Sequence, residues 1–554
     1  MAAPRENYIT IAAQKQAQRW NAIPAEWRLP AELLPKPGTT NVMDVPLTCG
    51  ILDKTDIAIT SGFDATGLVE ELRAKRLTVE QVTIAFCKTA AIAQQLTNCL
   101  TEIFFDVAIA RAKHLDETYS ATPSNALPPL FGLPISLKDS FAVRGHDTST
   151  GLACFANQPA TEHSSLARLL LDLGAVLYCK TNLPQTILTG DSDNNLFGRT
   201  LNPRNTSFTA GGSTGGEGAL LALRGSVLGV GTDLGGSIRV PSVCNGLYGL
   251  RPSVGLVPHT GVRDLNPPGT KDLLSSAGPM ATSLRDIEMF MRVIMQAEAW
   301  RYDPAAVGVP WVGGNAVEAV AEKTKKVRIG VMLEDGVFTP APPVRRGLRM
   351  VMDKLAGHTD RIELVPIELP DVQTIYSEFV RYLVMCGGQH YLGLFAQTGE
   401  PPVPSVKNAN IDSIPAMNDL HTLRELNARR EVIAQKYHAL FVDSKLDAIL
   451  MPPAPHTAIP HDTWNRPAYT CLWNYMDYPA LVVPVDKVRE GEDEADDLSH
   501  AKYGKHDEDV YKLYTGPKEY RDLPICVQLV GYRQRDDALL KVAGVVDDIV
   551  HKRE

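Results

Sequence analysis

Between residues 65 and 97, apolar side chains recur every three or four positions, with Leu68, Leu72, Val79, Val82, Ala85 and Phe86 on one side of a 3.6-residue period. The spacing predicts an amphipathic helical pair. Further on, the pattern changes to short apolar runs separated by longer periodic stretches. The runs predict strands at 103–105, 133–137, 175–179, 227–230, 327–332, 448–451, 481–485 and 526–530. Helices are expected up to about residue 119, near 165–173 and from about Thr214. Strands alternating with helices predict an α/β fold, a layered sheet covered by helices on both faces.

No repeat period and no Pro/Gly/Ser linker divides the chain, so a single large domain over 61–554 is the expectation. Residues 1–60 lack sustained periodicity apart from a helical run near 9–20, and read as an arm laid over the body. The segment 486–522 stands apart: 19 of its 37 residues are charged, 12 acidic and 7 basic. With so few aliphatics it reads as an exposed insertion between two strands that the fold could spare.

Charge and cysteine usage narrow the function. The 55 Lys and Arg against 64 Asp and Glu leave a net charge of −9, and no long basic run occurs, which argues against a nucleic-acid partner. Nine cysteines stand singly, in odd number and without a Cys-x-x-Cys pair, which fits reduced thiols in the cytosol better than disulfides or structural zinc. The polar start and the lack of any run near ~18 apolar residues predict no signal peptide and no transmembrane segment, hence a cytoplasmic protein. His146, His163 and His259 form no ligand cluster, so neither metal nor cofactor is expected. A homodimer is left open.

Two glycine-rich segments carry the chemistry. One is Gly211-Gly212-Ser213-Thr214-Gly215-Gly216-Glu217-Gly218; the other, Gly231-Thr232-Asp233-Leu234-Gly235-Gly236-Ser237-Ile238-Arg239, follows an apolar strand. Such glycine density lets backbone N–H groups approach a ligand closely. Neither segment fits a phosphate loop or a dinucleotide fingerprint. The first does satisfy Gly-x-Ser-x-Gly, the turn that exposes a nucleophilic serine in α/β-hydrolases, although a polar loop, 202–207, precedes it where a buried strand is needed. Taken on turn chemistry alone, Thr214, Ser226 and Ser253 read as helix caps.

With Lys138, in Leu133-Pro134-Ile135-Ser136-Leu137-Lys138-Asp139, lying 75 residues before Ser213, and Ser237 lying 24 after it, the three motifs together resemble the amidase signature family. Supporting blocks are Lys180-Thr181-Asn182-Leu183-Pro184-Gln185, Gly249-Leu250-Arg251-Pro252-Ser253 and Gly278-Pro279-Met280. The likeness covers about 65–300 and returns at 524–531. Ile23-Pro24-Ala25-Glu26-Trp27 and the charged insertion resemble the fungal acetamidase branch, and the core is similar to fatty acid amide hydrolase. Thr214 departs from the family, where many members carry a second serine. The resemblance implies one domain with a mixed central sheet.

It also implies a Ser-Ser-Lys triad: Ser237 as nucleophile, Ser213 as proton relay in a cis peptide, and Lys138 as base. Hydrolysing an amide requires an activated nucleophile, an oxyanion site and a proton for the departing amine. The amides of Leu234, Gly235, Gly236 and Ser237 would hold the oxyanion, Ile187 would lie beside the substrate through its backbone, and Asp233 and Arg239 would support the loop or simply pair as ions. The substrate would be a small amide whose pocket is built by 185–194, by Tyr376, Phe379, Tyr382 and Tyr391, and by 464–478. Rival readings are a lipid amidase, the A-type subunit of a glutamyl-tRNA amidotransferase, and an esterase with Ser213 as nucleophile.

Overall fold

The computed structural model describes residues 7–36, 38, 41–312 and 326–551. Its strands are β1 (Leu100–Ile103), β2 (Pro134–Lys138), β3 (Val176–Thr181), β4 (Leu201–Asn202), β5 (Asn205–Thr209), β6 (Leu228–Asp233), β7 (Tyr248–Arg251), β8 (Ser276–Ala281), β9 (Val327–Val331), β10 (Ile362–Pro366), β11 (Ala448–Met451), β12 (Ala480–Lys487) and β13 (Pro524–Val530). Eleven of them form one mixed sheet in the order β1-β3-β2-β6-β8-β7-β12-β13-β11-β9-β10, flanked by helices, while β4 and β5 make a separate hairpin.

The parallel trio β3-β2-β6 sets up the site. Lys138, the last residue of β2, pairs with Thr181 on β3, and Leu137 pairs with Val230 on β6. Parallel neighbours end on the same side, so Lys138 and the end of β6 at Asp233 emerge together. The helix Val79–Thr97 covers this region. Thr78 caps it, accepting from the Gln81 amide while the Gln81 side chain accepts from the Thr78 amide. Val79, Val82 and Phe86 are completely buried on it, as their spacing requires.

Several sequence expectations shift. The first strand lies at Leu100–Ile103, because Phe105 opens a helix, Phe105–Thr118, whose buried face is Phe105, Ala108, Ala112 and Leu115. β7 and β8 sit at the middle of the sheet yet were not expected. Ser276–Ala281 reads Ser-Ala-Gly-Pro-Met-Ala, too poor in β-branched and aromatic residues to announce a strand, and only its two neighbours make it one.

The charged segment also differs from the exposed loop expected of it. It folds into helices Lys505–Tyr511 and Pro517–Tyr520, and buries Asp493, Asp507, Tyr511, Tyr514 and Tyr520. Arg346 pairs with Asp493 at 2.7 Å and with Asp486 at 2.6 Å, and the Tyr520 ring meets Phe208 of β5 edge-on at 4.7 Å. Acidic residues there neutralise arginines of the helix Pro342–Ala356, which composition alone could not reveal.

Residues of the N-terminal arm are tied down as well. On the helix Tyr8–Asn21, Lys15 donates to Asp147 at 2.8 Å and to Glu102 at 2.6 Å, and is itself buried.

Candidate active site

Lys138 sits at the end of β2 with its side chain entirely out of solvent. Its Nζ donates to Ser213 Oγ at 2.6 Å and to Thr232 Oγ1 at 2.9 Å. Among the described residues no carboxylate touches it. Burial therefore dominates and brings its pKa down to about 7, against a weaker opposing pull from Asp233. Asp139, the next residue, anchors the strand end by accepting from Thr101, Ser149 and the Thr150 amide.

Ser213 follows β5 across a short loop, and the Gly212–Ser213 peptide is cis. The polar stretch 202–207, expected as a loop, is a hairpin apart from the large sheet. A Cβ at Gly212 would lie 2.3 Å from the Thr189 carbonyl oxygen, so only glycine lets the loop seat here. The amide of Thr214 donates to the Ser237 carbonyl at 3.1 Å, joining the two serine loops. Thr214, Ser226 and Ser253 do not cap helices through their side chains. Ser226 donates to the Leu228 carbonyl on β6, and Ser253 donates to the carboxylate of Asp536, the first residue of the helix Asp536–His551, while accepting from the Gln534 amide.

The second loop is shaped by an ion pair. Asp233 and Arg239 are both fully buried and meet through two bonds of 3.0 Å. Burial alone would raise the Asp233 carboxyl; the Arg239 guanidinium overrides that and holds it far below the usual carboxylate range. Arg239 also donates to Asn474, Gln528 and the Thr470 carbonyl, three partners the motif itself does not contain.

Asp233 also accepts from the Gly236 amide at 2.8 Å and the Ile238 amide at 3.1 Å. The Gly236 N–H, expected as an oxyanion donor, is thus committed to a carboxylate. Among the described residues the amides of Leu234, Gly235 and Ser237 have no hydrogen-bond partner. Gly236 has φ +129, and a Cβ there would meet Thr470 Oγ1 at 2.5 Å, so side chains are excluded on two counts.

One cavity of about 170 Å³ brings these groups together, lined by Ser213, Thr232, Leu234, Gly235, Gly236 and Ser237 among others. Ser213 is wholly buried, whereas Ser237 is half-buried. Ile187 lines the same cavity, with φ +63 following Thr186 at φ +77. Two successive β-branched residues in the left-handed region mark a strained turn held by its surroundings. Phe379, Tyr391, Trp464 and residues 186–190 form part of the wall. Tyr376 and Tyr382 instead bond Asp335 and Asn427. Two further wall segments, 259–266 and 409–414, carry no sequence signal that marks them as part of a pocket.

Deeper in the core, Glu217 is wholly buried and accepts from Ser136 and, at 2.9 Å, from Thr181. Burial lifts its pKa to about 7, the two hydroxyls opposing. Among the described residues no His, Cys, Asp and Glu group could hold a metal ion, and no helix is long and apolar enough to cross a membrane.

Known proteins are similar to this chain over nearly its whole length. An acetamidase of Emericella nidulans is 36% identical over 559 residues, covering 98% of each chain. An amidase of Gibberella moniliformis is 35% identical over 558 residues, again 98% of each. The solved structure of a fatty acid amide hydrolase superposes with a TM-score of 0.90 at 28% identity, covering 98% of this chain and 94% of that one. Residues 81–540 match the family model described as Amidase, and this chain belongs to the amidase (amidase signature) family, hydrolases that act on amide bonds.

Proposed function

We propose that the protein hydrolyses a small carboxylic acid amide through a Ser237–Ser213–Lys138 triad and an acyl-enzyme. The observation that carries the reading is the bond from Lys138 Nζ to Ser213 Oγ, made by a lysine whose burial keeps a neutral amine accessible near pH 7. Ser237 Oγ attacks the carbonyl carbon. Its proton passes to Ser213, and that of Ser213 to Lys138. The oxyanion is met by the unpartnered amides of Leu234, Gly235 and Ser237, where each donor in such a site is worth ~3–4 kcal/mol.

As the C–N bond breaks, the same relay returns a proton to the departing nitrogen, which leaves as ammonia or an amine. Water then repeats the sequence on the ester and releases the acid. Asp233 and Arg239 act on the loop, not on the substrate: their pairing orients the amides around Ser237. Residues 61–554 form the catalytic domain in this reading, with 1–60 as its arm. A cytoplasmic setting is supported by nine cysteines, none in a disulfide.

A short aliphatic or aryl acyl group is favoured by the acetamidase likeness. A long fatty amide is the second reading, supported by the likeness to fatty acid amide hydrolase. The test is to treat the purified protein with a fluorophosphonate, digest it and locate the label. Label on Ser237, together with ammonia release from simple amides, is expected. Label on Ser213 would transfer the nucleophile there, and no label would remove the mechanism.

A further inference from the structure

The cavity that holds Ser237 carries more information than the triad needs, and what it carries concerns the acyl group. Beyond the serine loops its wall has a large apolar part, lined by Phe379, Leu383, Val384, Tyr391, Ile411 and Ile414. Phe379 and Leu383 lie on the helix Val372–Leu383 and Val384 directly after it, Tyr391 on the helix Gly388–Ala396, and Ile411 and Ile414 at the turn Ile411–Ser413 beyond the short helix Pro404–Asn408. The wall begins at the reacting loop itself. A Cβ on Gly235 would lie 2.7 Å from Phe379 Cζ, so the aromatic ring rests against the backbone two residues before Ser237.

Size is the second observation. A cavity of about 170 Å³ is close to the ~150 Å³ of an aliphatic-lined cavity that binds benzene. An acetyl group would leave most of that wall without contact atoms, and unfilled apolar volume forfeits dispersion. The third observation is the polar part of the lining, where Asp264, Asn465 and Arg466 are exposed. A long alkyl chain that outgrows the apolar part has to lie along those charged and amide groups, which strips their water without replacing it.

Resting on the amidase reading above, we infer that the site selects amides whose acyl group ends in one apolar ring or a branched alkyl group of that size. Amides of acetyl and of long fatty acyl groups are both disfavoured. The preference comes from Phe379, which rests against Gly235 of the reacting loop, and from Val384, Ile411 and Ile414 elsewhere in the same wall.

The test uses the full-length enzyme and three primary amides, acetamide, phenylacetamide and decanamide, with kcat/KM read from ammonia release. Phenylacetamide is expected to exceed acetamide at least a hundredfold and decanamide at least tenfold. Val384→Phe and Ile414→Trp each fill part of the cavity, and each should lower the phenylacetamide-to-acetamide ratio at least tenfold. Fluorophosphonate labelling of every variant reports whether its serine is still reactive, and the wild-type ratios stand whether or not a variant folds. A wild-type preference for acetamide or decanamide overturns the inference, as does a ratio unmoved in both variants that still label. Labelling of Ser237 without turnover of any of the three amides overturns the substrate class alone. Absence of both labelling and turnover removes the amidase mechanism and this inference with it.

Discussion

Lys138 Nζ lies 2.6 Å from Ser213 Oγ, and neither side chain is exposed to solvent. Among the described residues, an ammonium ion in that place would have only the two hydroxyls of Ser213 and Thr232, and no carboxylate, to replace its hydration. The neutral amine is therefore the form that the fold favours, and it is also the form a base needs.

Activity should follow that deprotonation. With the Lys138 pKa lowered to about 7 by burial, kcat/KM should rise with pH through about 7 and level off above it, since the neutral fraction increases with pH. Lys138→Arg keeps a positive charge but cannot give up a proton, so kcat/KM should fall at least a thousandfold. A pH–rate profile of the wild type and a single rate for the variant check both; retention of a tenth of the activity would exclude Lys138 as base.

Stability should carry the same signature with its own sign. Between about pH 7 and the ordinary lysine value of 10.5 the unfolded chain holds a proton that the folded one lacks, so this group makes stability rise with pH across that window. Lys138→Met removes the slope and the cost of a buried amine. Its Tm at pH 7 should equal or exceed that of the wild type while turnover is lost, as thermal unfolding at several pH values would record.

Glu217 works in the opposite direction. Its pKa is raised by burial to about 7, so between the ordinary carboxyl value of 4.5 and 7 the folded state holds the extra proton and stability falls as pH rises. Glu217→Gln should flatten that fall, and the gap between variant and wild-type Tm should widen in favour of the variant from pH 5 to pH 8.

The Asp233–Arg239 pair should be costly to break from either side. Arg239→Ala leaves a buried carboxylate beside the Ser237 loop, and breaking such a pair costs about 3–5 kcal/mol. Urea unfolding should show a loss of that size. Turnover should fall together with it, because the Gly236 and Ile238 amides lose the geometry their acceptor imposed.

Deleting 488–520 should destabilise the protein. The deletion removes Asp493 from Arg346 and takes Tyr520 away from Phe208, which lies on the strand leading to Ser213. Tyr520→Ala alone should cost about 3–5 kcal/mol as a buried aromatic truncation. Urea denaturation of the point variant and solubility of the deletion check this; a deletion variant as stable as the wild type would return the segment to the status of a solvated loop.

How much of this was written locally can be seen residue by residue. The helix Val79–Thr97 was legible because apolar periodicity is a property of neighbouring residues. The parallel strands at Lys138 and Asp233 were legible because buried parallel strands are continuous apolar runs. The three motifs carried the resemblance to the family, and that resemblance nominated Lys138, Ser213 and Ser237. What stayed hidden depends on partners remote in the chain. β8 is a strand only because β6 and β7 flank it. Gly236 loses its free amide only because Arg239, held by Asn474 and Gln528, draws Asp233 beneath the loop. The acidic residues of 486–522 become buried ligands of Arg346 only once the helix Pro342–Ala356 lies beside them. Local pattern records what a residue's neighbours along the chain permit; the pairing of charges, the middle of the sheet and the cavity wall were decided by contacts across tens to hundreds of residues, which only the folded chain brings within bonding distance.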